Sequence, residues 1–216
     1  MKPVLSLTLS FFLFSFITNI SPNNAIEQVL DINGTPLTPG GQYYILPESD
    51  NPSIGGLILN KIDDLECPVT VVQDITVIGL PVKFSMLENS TSNILPGTDL
   101  EIEFTTKPDC AKSSKWSMFV DHDTQLSFVG IGGSANNPGV ETTSGKFLVV
   151  KHQHGSGHAY RIGFCLDTTG DCGFIALEFF NSEDGGPRLI FTVNDAYSVV
   201  FVDAASIKSA SHALPI

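Results

Sequence analysis

"VLDINGTPLTPGGQYYIL", residues 29–46, reads as two short strands joined by turn chemistry. Val29 to Ile32 is a β-rich run. Asn33-Gly34 supplies a turn, Pro36, Pro39, Gly40 and Gly41 supply a bend, and "QYYIL" resumes the alternation of a half-buried strand. The same grammar continues outward in "GLIL", "PVTVV", "PVKFS", "LEIEF", "WSMFVD", "LSFVGI", "KFLVV", "YRIGF", "GFIALEFF", "RLIFTV" and "SVVFV". Between these runs lie Gly, Pro, Asn, Asp and Ser clusters such as "ESDNPSIGG", "GGSANNPG" and "NSEDGGPR". About a dozen short strands at this spacing argue for an all-β sandwich or barrel. No segment sustains a 3.6-residue period with caps, so almost no helix is expected. The 19 glycines and 13 prolines are spread through turns and are not gathered into a linker, which predicts one compact domain.

The first 25 residues stand apart. Lys2 precedes an apolar run from Val4 to Ile17, followed by small and polar residues, the layout of a secretory signal peptide. That run is shorter than the roughly 20 residues a spanning helix needs. Cleavage between Ser21 and Ile26 would deliver a secreted, extracellular or vacuolar protein. The chain carries 23 acidic against 11 basic residues, a formal net charge of -12, and contains no basic run. Nucleic acid and anionic membrane are therefore excluded as expected partners, because both are held through clustered Lys and Arg. Hydrophobic residues make up 42% of the chain, enough for a packed core that disulfides would supplement.

Four cysteines in an oxidising compartment read first as two disulfides. The short separation of Cys165 and Cys172 in "CLDTTGDC" favours a local closure, which leaves Cys67 with Cys110. In the chain-entropy account, the longer of these loops contributes about 4 kcal/mol. No Cys-x-x-Cys pair supports a zinc site.

Val29, Asp31, Asn33, Gly34, Leu37, Tyr43 and Ile45 occupy matching places in a known signature, from which Thr35 departs. "CPVTVVQ" at Cys67, Cys110 followed by Trp116, "YRIGFC" ending at Cys165, Cys172 and the closing "SVVFVDA" follow in order. Together they resemble the plant Kunitz, or soybean trypsin inhibitor, family. "CAKSSKW" and "VGIGG" are similar to legume members described as α-fucosidases. The resemblance covers Gln28 to Ala205. It implies a β-trefoil of twelve strands, six in a barrel and six in a cap, with two disulfides. The corresponding organisation is a signal peptide (1–25), a trefoil domain (26–206) and a C-terminal tail (207–216). It further implies a monomer with no cofactor and no chemistry of its own, whose partner is a target protease.

In such a family the reactive loop lies between "CPVTVVQ" and "LEIEF". Here that places the primary specificity residue at Ser90, between Asn89 and Thr91. A substrate-like loop inhibits by being presented rigidly, so that little entropy is lost on binding. Residues 86–97 contain no Lys or Arg. The acid of a trypsin-like pocket would be left unpaired, a loss of roughly 2 to 5 kcal/mol. Met86, Leu87, Ile94 and Leu95 suit elastase-, subtilisin- or chymotrypsin-like pockets better. Asn89-Ser90-Thr91 and Asn33-Gly34-Thr35 are also glycan acceptor signals.

Other surfaces offer alternatives. Lys107, Lys112 and Lys115 surround Cys110 and form a second candidate bait. His152, His154 and His158 in "KHQHGSGHAY" would share one face of a tight hairpin and could hold a metal ion. A glycosidase would need two carboxyl groups about 5 to 9.5 Å apart. Asp121, Asp123, Glu178 and Asp184 are available, but no spacing selects a pair. The expectation is thus an inhibitor, with a carbohydrate- or protein-binding trefoil and an α-L-fucosidase as the alternatives.

Overall fold

The computed structural model describes residues 27–49, 52–61, 65–87, 93–122, 124–137, 139–155, 157–179 and 186–207. Thirteen strands run through them: β1 (Gln42–Pro47), β2 (Gly56–Asn60), β3 (Thr70–Asp74), β4 (Val82–Met86), β5 (Leu100–Phe104), β6 (Ser117–Asp121), β7 (Leu126–Gly130), β8 (Glu141–Thr143), β9 (Gly145–Lys151), β10 (Tyr160–Leu166), β11 (Cys172–Glu178), β12 (Arg188–Thr192) and β13 (Ser198–Asp203). The only helical turn among the described residues spans 204–207.

The pairings give the architecture directly. β1 pairs with β4, β4 with β5, β5 with β9, β9 with β10, β10 with β13, and β13 returns to β1, all antiparallel. This ring of six strands is a closed barrel, which leaves no sheet edge exposed. The hairpins β2–β3, β6–β7 and β11–β12 remain. They meet one another pairwise through Thr70↔Gly130, Arg188↔Val72 and Ile190↔Phe128, forming a triangular cap. Six barrel strands and three capping hairpins make a β-trefoil. The three-residue β8, which pairs with β6, is an addition to the expected twelve.

Alternation explains the core. Leu100, Ile102 and Phe104 of β5 point inward and are buried while Glu101 and Glu103 face out. Phe84 and Phe201 meet edge to face at 5.5 Å inside the barrel, and the Tyr160 ring lies tilted against Phe201 at 5.6 Å. Each fully buried side chain of this size contributes about 1.5–3 kcal/mol. The cap has its own centre in Phe119, Phe128 and Ile190. Both disulfides pair as expected, Cys67 with Cys110 and Cys165 with Cys172.

The run at 29–46 departs from its simplest reading. Residues 29–32 do not form a strand; one isolated bridge, Leu30↔Pro36, closes the turn. Buried Asp31 accepts the amides of Asn33 and Thr35 on Oδ1, each at 2.8 Å, and Gly34 adopts φ +79°. The segment then lies across the barrel mouth, with Leu30 N–H donating to Tyr160 Oη at 2.8 Å and Ile32 N–H to the Phe201 carbonyl at 2.9 Å. The amides of Val29, Leu30 and Ile32 are satisfied by residues far away in sequence and that of Asp31 by the Thr35 carbonyl, so no local strand is needed.

One glycine is dictated by close approach. A Cβ on Gly56 would stand 1.8 Å from the carbonyl oxygen of Ile78, against backbone that cannot rotate away. Gly56→Ala is expected to cost about 1–3 kcal/mol or more. Urea unfolding should show a lower midpoint at unchanged slope.

Candidate functional site: the β4–β5 connection

β4 and β5 diverge after the rung Met86↔Leu100, and a long amide contact from Leu87 to the Asp99 carbonyl, 3.4 Å, follows it. Lys146 Nζ holds Asp99 at 3.2 Å. The far side is fixed more firmly. Ile94 is fully buried; its amide donates to the Leu37 carbonyl at 2.9 Å and its carbonyl accepts from Val29 at 2.8 Å. Leu37 in turn donates to Val29 at 2.8 Å, closing a triangle of three chain segments. Asn93 Nδ2 reaches Gln28 Oε1 at 3.2 Å, and Lys151 pairs with Glu27 at 2.8 Å. A turn from Leu95 to Thr98, with Gly97 at φ +79° and its amide on the Val149 carbonyl, returns the chain to β5.

Asn89, Ser90 and Thr91 lie outside the described residues. Their mounts are on either side of them. Leu87 is 45% exposed and continues outward, whereas Asn93 and Ile94 turn in. Ile94 therefore serves as an anchor, correcting the expectation that it could enter a protease pocket. The signal available in the sequence was an apolar pair directly before Pro96-Gly97. Its partners, Val29 and Leu37, are more than fifty residues upstream and leave no local trace.

The second candidate bait is a rigid corner. Asn136 Oδ1 accepts from Lys112 N at 2.9 Å and its Nδ2 donates to the Cys110 carbonyl at 2.9 Å. Lys107 Nζ caps the Ala111 carbonyl at 2.6 Å. Lys115 pairs with Glu101 at 2.8 Å, and that carboxylate's hydrogen bond and charge hold the ammonium pKa above its ordinary value. Lys112 is exposed.

The three histidines do not share a hairpin face. β9 ends at Lys151 and β10 begins at Tyr160, and the His152 N–H donates to the Ala159 carbonyl at 2.9 Å beyond them. His152 points to β1 and β13, with Nδ1 at 2.8 Å from Ser198 Oγ and 3.3 Å from Glu48 Oε2, while Arg161 Nη2 lies 3.1 Å from its Nε2. Among the described residues no group of three His, Cys, Asp or Glu could hold a metal ion. Asp121 closes β6 and Glu178 closes β11, on different capping hairpins; Asp123 and Asp184 lie outside the described residues. Asn33 is exposed on its turn.

A family model described as Kunitz legume, trypsin and protease inhibitor, matches residues 29–203. The Kunitz-type trypsin inhibitor-like 1 protein of Pisum sativum is 50% identical over 97% of this chain and 99% of its own. Subtilisin inhibitor CLSI-II of Canavalia lineata is 39% identical over 85% of this chain and 95% of its own. The crystal structure of a Kunitz type trypsin inhibitor from Cicer arietinum superposes with TM-score 0.75 at 49% identity, covering 83% of this chain and 99% of that one.

Proposed function

The chain belongs to the Kunitz legume family of trypsin and protease inhibitors, which are not enzymes, and from that premise we propose that Asn89, Ser90 and Thr91 are its inhibitory bait, with Ser90 in the specificity pocket. The observation that carries this reading is the mount. Leu87 on the near side and the Val29–Leu37–Ile94 triangle on the far side hold both feet before any protease arrives. A pre-positioned loop loses little entropy on docking. The target is a serine protease with a small or apolar pocket, in keeping with a subtilisin inhibitor among the relatives and with the lack of Lys and Arg at 86–97.

The protein acts as a secreted monomer, extracellular or vacuolar, after loss of residues 1–25. Amino-terminal sequencing of the mature protein should begin between residues 22 and 26. Asn33 and Asn89 are glycan acceptors, and a glycan on Asn89 would compete with protease docking; Asn89→Gln separates the two uses.

Titration of trypsin, chymotrypsin, elastase and subtilisin tests the proposal. Subtilisin or elastase should be inhibited at or below micromolar concentration, and trypsin far less. Ser90→Arg should strengthen trypsin inhibition by about 30-fold or more, equivalent to about 2 kcal/mol, by pairing the pocket acid. Inhibition of none of the four proteases, with and without the glycan, would overturn the assignment.

A further inference from the structure

The two feet of the β4–β5 connection are held unequally. On the near side the last backbone contact is the 3.4 Å approach of Leu87 to the Asp99 carbonyl. On the far side two successive residues are tied. Ile94 is held through its main chain by Val29 and Leu37. Asn93, the described residue closest in sequence to Thr91 on that side, is held through its side chain, with Nδ2 donating to Gln28 Oε1 at 3.2 Å.

Gln28 is already in place when it makes this bond. Its neighbour Val29 is fully buried and donates its amide to the Ile94 carbonyl at 2.8 Å, while Glu27 on the other side pairs with Lys151 at 2.8 Å. These side-chain contacts differ in weight. The Glu27 and Lys151 side chains are 57% and 48% exposed, and an ion pair in that setting contributes little. The Gln28–Asn93 bond is partly buried, and the adjacent residues already tie the two main chains together. Closing it therefore orders two side chains and no additional backbone.

We propose that Gln28 is a positioning residue for the bait, acting through Asn93. This assignment rests on the reading of Asn89, Ser90 and Thr91 as the bait. A serine protease that attacks the Ser90 carbonyl carbon breaks the Ser90–Thr91 bond, and the Thr91 nitrogen takes a proton and leaves as an amine. An amine held in place attacks the acyl-enzyme carbonyl again, which restores the peptide bond and the serine hydroxyl. An amine that drifts away is replaced by water, and the inhibitor becomes a substrate. Asn93 follows Thr91 closely on the departing side, so its bond to Gln28 keeps that amine near the acyl group.

Protein made with both disulfides and without N-glycans tests the assignment. The parent, Gln28→Ala, Gln28→Glu, Asn93→Ala and the double alanine variant are titrated against trypsin, chymotrypsin, elastase and subtilisin, and cutting between Ser90 and Thr91 is followed by mass spectrometry. Gln28→Ala should weaken inhibition about fivefold, the effect of one lost hydrogen bond, and raise the rate of cutting, with the urea midpoint at the parent value. Gln28→Glu keeps an acceptor oxygen and should restore inhibition. The double variant should be no weaker than the weaker single one, because the two side chains share one interaction. Parent-like inhibition by Gln28→Ala overturns the assignment, as do a Gln28→Glu variant as weak as Gln28→Ala, additive losses in the double variant, or an unfolding midpoint that falls together with inhibition. In each of these cases the parent still inhibits and the bait reading stands. A parent that inhibits none of the four proteases sinks the bait reading and this assignment with it, so the two failures are told apart.

Discussion

Ile94→Ala is expected to lower stability by about 2–5 kcal/mol and to convert the β4–β5 connection from a bait into a substrate. The stability loss follows from burial: Ile94 is completely enclosed and packs within the main core, and truncation there removes transfer energy and leaves a cavity. The functional loss follows from position. Ile94 is the point at which the connection is tied to Val29 and Leu37 by backbone bonds of 2.8 and 2.9 Å. Loosening that tie removes a fixed mount for the connection, so binding must then supply the ordering. Incubation with subtilisin should show faster cleavage at the connection and a weaker inhibition constant than the parent protein. Val129→Ala is the control, because Val129 is equally buried but sits on β7 in the cap. If the control loses inhibition as severely as Ile94→Ala, the anchor has no special role and general destabilisation explains both.

Removing the Cys67–Cys110 bridge should cost about 4 kcal/mol, more than removing Cys165–Cys172, at about 2–3 kcal/mol. The first bridge spans a sequence separation of 43 and links the approach to β3 with the corner between β5 and β6. Breaking it frees a long loop in the unfolded chain. The second spans a separation of 7, and its cysteines already face each other across the β10–β11 ladder. Paired Cys→Ala variants unfolded in urea give the comparison. Cys67→Ala with Cys110→Ala should also loosen the corner that Asn136 braces, which limited proteolysis at Lys112 would detect. An equal or reversed ranking of the two bridges would mean that native-state strain, and not loop length, governs them.

The strands were legible because each announces itself locally. A period-two pattern such as "LEIEF" needs only five residues to show which side chains turn inward, and Gly, Pro and Asn clusters mark where it stops. The order of half-cystine segments, the trefoil and the inhibitor family were legible for a related reason: short motifs survive as contiguous text. The proposed bait between β4 and β5 rests on the same text, and Ser90 and its neighbours on counting back from β5.

Other features could not be read in advance because their causes are non-local. Residues 29–32 look like a strand, yet their amides go to scattered partners, the Ile94 carbonyl, the Tyr160 hydroxyl, the Thr35 carbonyl and the Phe201 carbonyl of β13, and make no ladder. Histidines 152, 154 and 158 look like one face of a hairpin. Ser198 and Glu48 instead draw His152 toward β1 and β13. The amino-acid sequence alone settled the strands, the bridges and the family, since alternation, turn residues and motifs act over a few positions. Only the tertiary structure settled which residues brace the barrel mouth and that Ile94 is an anchor. Those depend on closing the ring between β1 and β13, which brings together groups as far apart in sequence as the Leu30 amide and the Tyr160 hydroxyl.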